Sequence, residues 1–112
     1  MLGIDIEYNS RFKDKSDEFY NRIFTKNEME YCKSKTNYAA HFCARYCAKE
    51  AVIKALSYKN IKISGYNVIE VYHGKFNEPR VRILDTNIPK YNIRISIAHE
   101  KDKSVAVAFI IE

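Results

Sequence analysis

The sequence has few glycines and prolines, and this scarcity excludes the low-complexity classes of protein. Its 112 residues include three glycines and two prolines, whereas 46% of them are apolar. Disordered and repetitive chains typically have the opposite composition. No linker, repeat or low-complexity tract interrupts the chain, and its length suits about one domain. We therefore expect one globular domain over residues 1–112.

Cysteines are also few, and their number is odd, which argues against a disulfide framework. The three are Cys32, Cys43 and Cys47. An odd set favours a reducing, cytoplasmic compartment. Cys43 and Cys47 share a helix face, and zinc ligands can have that spacing. Only Cys32 and His41 are further candidates, and neither lies at a recognisable ligand spacing, so we interpret the cysteines as small core residues.

Long apolar runs and dense basic blocks are missing as well. No window of 18 residues is both apolar and uncharged, and no basic segment leads into an apolar run, so we expect neither a membrane span nor a signal peptide. Lysine and arginine nevertheless outnumber acidic residues 19 to 14, which gives a net charge of +5. The surplus suggests a nucleic acid, an anionic membrane, a phosphorylated cofactor or an acidic protein as partner. Nucleic acid is disfavoured because the basic residues are dispersed and the aromatic residues mostly follow core periodicity.

Apolar periodicity predicts strands at the two ends of the chain and helices between them. The predicted helices cover about Ser10–Arg22, a short segment from the capping box Thr25-Lys26-Asn27-Glu28 to about Lys33, and a long segment capped by Asn37 that ends near Ser57. The predicted strands are Met1–Ile6, Asn67–His73, Pro79–Leu84, Tyr91–Ala98 and Ser104–Ile111, and the last four form two hairpins. We expect the last strand, which is almost wholly apolar, to be buried on both faces. The pattern indicates an α+β fold in which an antiparallel sheet packs against a long central helix and shorter helices.

The central helix carries an acid and a base among apolar residues. Glu50 and Lys54 lie one turn apart, on a face shared with Cys43, Tyr46 and Cys47. The opposite side is rich in alanine, so the helix is apolar nearly all round and should lie in the centre of the fold. One interpretation is a partly buried ion pair worth roughly 0.2–0.5 kcal/mol. The other is that the carboxylate binds a metal ion while the ammonium binds a phosphate.

Three motifs follow one another in a characteristic order along the chain. They are Gly3-Ile4-Asp5-Ile6-Glu7, then Ala48-Lys49-Glu50-Ala51-x-x-Lys54-Ala55-Leu56, and finally Ser96-Ile97-Ala98-His99 before an apolar strand. Two shorter motifs, Arg22-x-Phe24-Thr25-x-x-Glu28 and Phe42-x-x-Arg45, lie between them. In order, spacing and chain length the sequence resembles the 4′-phosphopantetheinyl transferases, and among these the small holo-acyl-carrier-protein synthases.

The chain departs from the small synthases at four places. Asp5-x-Glu7 resembles the larger surfactin-type branch, whose two carboxylates and helix glutamate all serve the metal, whereas small synthases have a glutamate three residues after the aspartate. Ser57-Tyr58-Lys59-Asn60 stands where a Gly-Thr-Gly turn is usual, which puts the path beside the nucleotide site in doubt. Asn77-Glu78-Pro79 replaces a Gly-Lys-Pro turn, and asparagine tolerates the positive φ involved. Ala98 stands where a hydroxyl residue is common.

The resemblance implies an activity that these residues suit chemically. In that reaction a serine of an apo-acyl carrier protein attacks the β-phosphate of coenzyme A, and 3′,5′-ADP leaves. A carboxylate-bound Mg²⁺ neutralises the pyrophosphate, and Asp5, Glu50 and Glu7 are its candidate ligands. Asp5 and Glu7 project to the same side of an extended segment, although a solvated strand end is the alternative. The serine's proton is taken by Glu50 or by a metal-bound water.

The remaining candidate residues concern the donor. Lys54, placed to take a phosphate oxygen, is with Glu50 a candidate catalytic residue. Arg45 suits a nucleotide phosphate, with an exposed surface cation as the alternative. His99, at a strand end, lines the adenosine site or is an ordinary loop histidine. Lys54, Arg45 and His99 thus form the expected coenzyme A site.

The positive charge points to the acceptor, because carrier proteins are typically acidic. Arg11 matches the family position that helps to dock the carrier, with an ordinary exposed arginine as the alternative. The resemblance further implies a homotrimer whose active sites lie between subunits. A different class of function stays open: a non-catalytic basic module that binds nucleic acid or an acidic protein. Such a module would need no metal, and its affinity for nucleic acid would fall steeply with salt.

Overall fold

A computed structural model describes all residues, 1–112. The strands are β1 (Leu2–Tyr8), β2 (Ile69–His73), β3 (Pro79–Ile83), β4 (Asn92–Glu100) and β5 (Lys103–Ile111). The α-helices are α1 (Asp17–Ile23), α2 (Lys26–Lys33) and α3 (Tyr38–Leu56). Three 3₁₀ turns cover Asn9–Phe12, Ser57–Lys59 and Tyr66–Val68. None of the helices combines the length and apolar character needed to cross a membrane.

Strand pairing produces two antiparallel sheets and confirms the predicted α+β fold. β5 lies between β1 and β4, while β2 and β3 form a separate hairpin. The β4–β5 hairpin matches the second predicted hairpin, and the β1–β5 register places Asp5 opposite Ala106. The first and last strands are therefore neighbours in one sheet, on which α3 packs.

Helix α3 lies at the centre of the protein, as its apolar composition predicts. Twelve of its 19 residues are buried, and they include residues on all sides of the helix. Strand β1 approaches it so closely that a Cβ atom at Gly3 would lie 1.9 Å from the carbonyl oxygen of Ala51. Only glycine permits this approach, because the opposing atom belongs to the helix backbone. The first motif therefore begins with a residue required for packing.

The predicted helix over Ser10–Arg22 is wrong, because the segment is broken in its middle. Asn9–Phe12 form a 3₁₀ turn, and α1 begins only at Asp17. Between them Asp14 adopts a left-handed conformation with φ 56°. The hydroxyl of Ser16 then accepts a hydrogen bond from the backbone N–H of Phe19 at 3.1 Å and caps α1. The apolar spacing continues across the whole segment, but the turn at Asp14 and the cap at Ser16 separate the 3₁₀ turn from α1.

The capping box at Thr25 and Glu28 is confirmed, and both of its hydrogen bonds are present. Asn37 does stand at the start of α3, but its side chain makes no capping hydrogen bond. Asn77 and Asn60 both adopt positive φ, 64° and 56° respectively. Asparagine thus takes the left-handed position at both turns where the resemblance leads us to expect glycine.

Strand β5 is covered on one face only, so the expectation of burial on both faces is wrong. Its residues Ala106, Ala108 and Ile110 point towards α3 and are buried. On the other face Phe109 and Ile111 remain 49% and 42% exposed. The reason is that α3 covers one side of the three-stranded sheet and no element of the chain covers the other.

Candidate active site

Strand β1 and helix α3 bring two of the predicted site residues into contact. Alternation along β1 turns Gly3, Asp5 and Glu7 towards α3. The Nζ of Lys54 lies 3.2 Å from Oδ1 of Asp5 and donates a hydrogen bond of 2.9 Å to the carbonyl oxygen of Ile4. Asp5 is largely buried, with 17% of its side chain exposed, whereas 52% of Lys54 is exposed. The ion pair of Lys54 therefore reaches across to β1 rather than along its own helix.

Glu50 lies one turn before Lys54, but its carboxylate acts on a tyrosine. The Glu50 carboxylate is the main reason that the pKa of Tyr66 is raised, and burial and Tyr46 add to the effect. The rings of Tyr46 and Tyr66 lie 5.3 Å apart, centroid to centroid. No ion pair joins Glu50 to Lys54, so the interpretation of these two residues as a simple i,i+4 pair is wrong.

Glu7 is engaged with Arg11. Nη1 of Arg11 lies 2.5 Å from Oε2 of Glu7, and the guanidinium carbon lies 4.9 Å from the centroid of the Tyr46 ring. The backbone N–H of Tyr8 donates to Glu7 at 2.9 Å. That hydrogen bond, followed by the one from Arg11, lowers the pKa of Glu7. Glu7 is thus an ionised side chain that already has a cationic partner.

Asp5, Glu7 and Glu50 do not form a group of three side chains arranged to hold a metal ion. Mg²⁺ is usually held by one or two carboxylates, with water and phosphate oxygens completing its coordination. Asp5 and Glu50 supply that type of oxygen. The cation that now lies beside Asp5 also shows that this position favours positive charge. The chemistry of the donor set therefore fits Mg²⁺ with two carboxylates, and the contribution of Glu7 stays a prediction.

Arg45 is buried, so the alternative of an exposed surface cation is wrong. Only 5% of the residue is exposed. Its guanidinium carbon lies 4.3 Å from the centroid of the Tyr31 ring. Its Nε has no hydrogen-bond partner, and Arg45 takes part in none of the nine ion pairs of the protein. A buried guanidinium without a counter-ion is an incomplete electrostatic arrangement.

His99 stands at the end of β4, where its Nδ1 lies 2.8 Å from Oγ of Ser104. That hydroxyl donates its proton to Oδ1 of Asn9 at 2.7 Å. Because the hydroxyl has only one proton, Nδ1 of His99 must be the donor in its bond with Ser104. Both sequence interpretations of His99 remain open, since this bond satisfies one nitrogen and leaves the other exposed.

The sequence interpretation missed a buried ion pair beside the site. Nζ of Lys49 lies 2.6 Å from Oε1 of Glu28, and both side chains are fully buried. Lys49 also donates to the carbonyl oxygens of Ile23 at 2.7 Å and Tyr66 at 3.1 Å. The second oxygen of Glu28 accepts from the backbone N–H of Val71 at 2.8 Å. Both residues belong to motifs noted in the sequence, but no local spacing connects them.

A cavity of about 660 Å³ lies elsewhere, between α1, α2 and the segment around Asn67. None of the predicted site residues lines it. Asp5, Glu50 and Lys54 therefore lie on β1 and α3, outside this cavity.

One known protein family matches almost the whole chain. The model of the 4′-phosphopantetheinyl transferase superfamily matches residues 1–110. The chain belongs to the 4′-phosphopantetheinyl transferase superfamily. The motifs that carried the resemblance, with Asp5, Glu50 and Lys54, all lie within the matched range.

Relatives and solved structures narrow the position within this superfamily. A holo-[acyl-carrier-protein] synthase of Aquifex aeolicus is 38% identical over 119 residues, which cover 98% of this chain and 97% of the relative. The structure of a holo-(acyl-carrier-protein) synthase from Bacillus anthracis, in complex with CoA (3′,5′-ADP), has a TM-score of 0.80. It is 27% identical, with 97% of this chain and 93% of that chain covered. The acyl carrier protein synthase of Mycobacterium tuberculosis is 31% identical with a TM-score of 0.76, and the match covers 98% of this chain and 95% of that one.

These matches confirm the resemblance and the prediction of an enzyme of the holo-acyl-carrier-protein synthase type. The alternative of a non-catalytic basic module is therefore wrong, because the matched relatives are enzymes. The departures at Glu7, Ser57–Asn60 and Ala98 are therefore variations within the superfamily.

Proposed function

We propose that this phosphopantetheinyl transferase moves the 4′-phosphopantetheine group from coenzyme A to a serine of an apo-acyl carrier protein and releases 3′,5′-ADP. The observation that carries the proposal is the contact between Asp5 and Lys54 at 3.2 Å, on the face of α3 that also bears Glu50. It places an ammonium suited to phosphate beside one carboxylate suited to Mg²⁺, and Glu50 supplies a second carboxylate one helical turn away. Relatives named holo-acyl-carrier-protein synthases, and a related structure in complex with CoA, support the same substrates.

The reaction makes one bond and breaks one bond at phosphorus. The serine oxygen bonds to the β-phosphorus of coenzyme A, the bond from that phosphorus to the bridging oxygen breaks, and 3′,5′-ADP carries away the electron pair. Asp5 and Glu50 would hold Mg²⁺, and Glu7 is proposed as a further ligand. When bound, the ion would neutralise the negative charge that develops on the phosphate oxygens.

The side chains around these carboxylates have distinct parts in the proposal. Lys54 turns from Asp5 to a phosphate oxygen of the donor, which its exposed, flexible side chain allows. Glu50 accepts the serine proton, and its carboxylate lies close enough to Tyr66 to raise the pKa of that hydroxyl. Arg45 and His99 contact the nucleotide part, where Arg45 gains the anionic partner that it lacks in the free protein.

Arg11 is proposed to dock the acidic carrier. Half of its side chain is exposed, and it lies beside Glu7, at the end of the strand that carries Asp5. A carrier bound at Arg11 would therefore present its serine close to the carboxylates. The net charge of +5 favours the approach of an acidic partner in the same way.

We also infer how the enzyme is organised and where it works. Residues 1–112 are proposed to form one catalytic domain. The uncovered apolar face of the β1–β5–β4 sheet supports a homotrimer. All three cysteines are free, which supports a reducing, cytoplasmic compartment.

The substitution Glu50→Gln tests the proposal. It keeps the volume of the side chain but removes a ligand charge and a proton acceptor, so transfer should fall at least about 10²-fold while the fold is kept. The measurement is the mass of an apo-carrier protein after incubation with coenzyme A and Mg²⁺. Glu18→Gln, at an exposed ion pair with Arg22, is the matched control and should transfer normally. A wild-type protein that leaves the carrier mass unchanged would exclude the function, and full activity of Glu50→Gln at limiting Mg²⁺ would exclude the role of Glu50.

A further inference from the structure

Four basic side chains surround the ring of Tyr31. The guanidinium carbon of Arg45 lies 4.3 Å from the ring centroid and Nζ of Lys35 lies 4.7 Å from it. The rings of His41 and His73 lie 5.6 Å and 4.9 Å away, centroid to centroid. We name Tyr31, Lys35, His41, Arg45 and His73 the basic cluster. Its members come from α2 and the turn after it, from α3 and from β2, so the fold assembles them.

The basic cluster contains no acidic partner for its charges. None of the nine ion pairs in the protein involves Lys35, His41, Arg45 or His73. Arg45 is 5% exposed and its Nε lacks any hydrogen-bond partner. A buried, always charged guanidinium is costly without a counter-ion. The cluster therefore has the charge and the free donor of an anion site.

The neighbouring titratable groups do not supply the missing negative charge. On the α2 side, Glu28 is committed to Lys49 and to the backbone of Val71. On the β2 side, Glu70 pairs with Arg82 at 3.1 Å and accepts from Thr25 at 2.6 Å.

The other neighbours add positive charge or none. Burial raises the pKa of the Cys32 thiol to about 12, so this residue stays neutral. From the end of β4, His99 acts on His41 as a further positive charge. An anion in the cluster would thus have no like charge in contact with it.

We propose that His41, His73 and Lys35 join Arg45 to bind a phosphate group, and that this binding takes up protons and so tightens as the pH falls. The proposal rests on the proposed function, because coenzyme A brings phosphate groups to Arg45. It adds two titrating ligands and a regulation that the proposed function does not contain. Free inorganic phosphate has the same chemistry and is the other possible source of the group.

The direction of the pH effect follows from the surroundings of the two histidines. Burial lowers the pKa of both, and repulsion from Arg45 and Lys35 lowers it further. Both rings are therefore largely neutral at neutral pH while the cluster is empty. A bound anion reverses this preference and raises both pKa values, so binding draws in protons. The affinity gained in this way is present below the histidine pKa of the free protein and is lost as the pH rises above that of the complex.

The test is the affinity for 3′,5′-ADP, measured by titration calorimetry without carrier protein. Wild type and the double variant His41→Phe/His73→Phe are compared at about pH 5.5 and about pH 8. Phosphate monoesters titrate near pH 6 themselves, but this effect cancels in the ratio of the two dissociation constants. We expect that ratio to favour the wild type about tenfold more at the lower pH, which corresponds to one charge-assisted hydrogen bond. Inorganic phosphate should compete with 3′,5′-ADP in the wild type.

Control variants distinguish an effect of the basic cluster on affinity from a general loss of positive charge and from misfolding. Lys62→Gln/Lys90→Gln removes two exposed charges outside the cluster and should keep the wild-type pH dependence. His41→Gln/His73→Gln provides a polar replacement of the same two rings and should behave like the phenylalanine pair. A ratio that does not change with pH would overturn the proposal, as would tight phosphate binding that 3′,5′-ADP cannot displace. Failure of the proposed function alone would leave this binding intact, since no transfer is measured.

Discussion

At the scale of single residues, the fully buried ion pair between Lys49 and Glu28 is the feature of the core that single substitutions can test. The periodicity of α3 placed Glu50 and Lys54 on one face, and both lie beside β1 and Tyr66 as that face requires. Lys49, between them in sequence, is the residue that is fully buried. A helix that is apolar all round has no periodicity to show which charged side chain points inwards. Its partner Glu28, 21 residues away, could not be found from local spacing.

Lys49→Met should destabilise the fold by about 3–5 kcal/mol, because it leaves the buried Glu28 carboxylate without its ammonium. The measurement is the free energy of unfolding in urea. Adding Glu28→Gln removes the stranded charge, so the double variant should recover part of the loss. Equal stability of the wild type and Lys49→Met would show that the pair contributes nothing. A double variant less stable than the sum of the single losses would contradict the explanation by stranded charge.

At the scale of elements, most helices and strands could be predicted because each carries a complete local signal. The capping box begins α2, and alternating apolar residues mark β4 and β5. The break in the first predicted helix was missed because Asp14 in a left-handed conformation leaves the apolar spacing undisturbed. The closeness of β1 to α3 was also invisible, since a glycine in a strand pattern does not reveal which backbone it approaches.

Gly3→Ala should destabilise the protein by about 1–3 kcal/mol, because the added methyl group has to displace strand or helix backbone. The added Cβ atom would lie 1.9 Å from the carbonyl oxygen of Ala51. Thermal or urea unfolding measures the loss. Gly65→Ala is the matched control: its added Cβ would have its nearest neighbour at 3.4 Å, the side-chain oxygen of Asn67. We expect a change below about 0.5 kcal/mol there. Similar losses at both positions would contradict the assigned reason.

At the scale of the whole molecule, the uncovered face of the β1–β5–β4 sheet is the main feature that one chain leaves unexplained. On β1, Leu2, Ile4 and Ile6 are 54%, 60% and 61% exposed, and Phe109 of β5 lies opposite Leu2. Soluble monomers rarely expose contiguous apolar surface of this kind. The sequence indicated an apolar last strand, but not that one of its faces stays uncovered within the chain.

Ile4→Lys should dissociate the proposed homotrimer into monomers, because it places a charge within the apolar face. Within one chain Ile4 is already 60% exposed, so the monomer should keep its secondary structure. Light scattering coupled to size-exclusion chromatography gives the mass of each variant. Phe76→Lys is the matched control, since Phe76 is 83% exposed at the β2–β3 turn and lies outside this face. The wild type and Phe76→Lys should share one mass, about three times that of Ile4→Lys. A monomeric wild type would contradict the proposed assembly, and the apolar face would then need another partner.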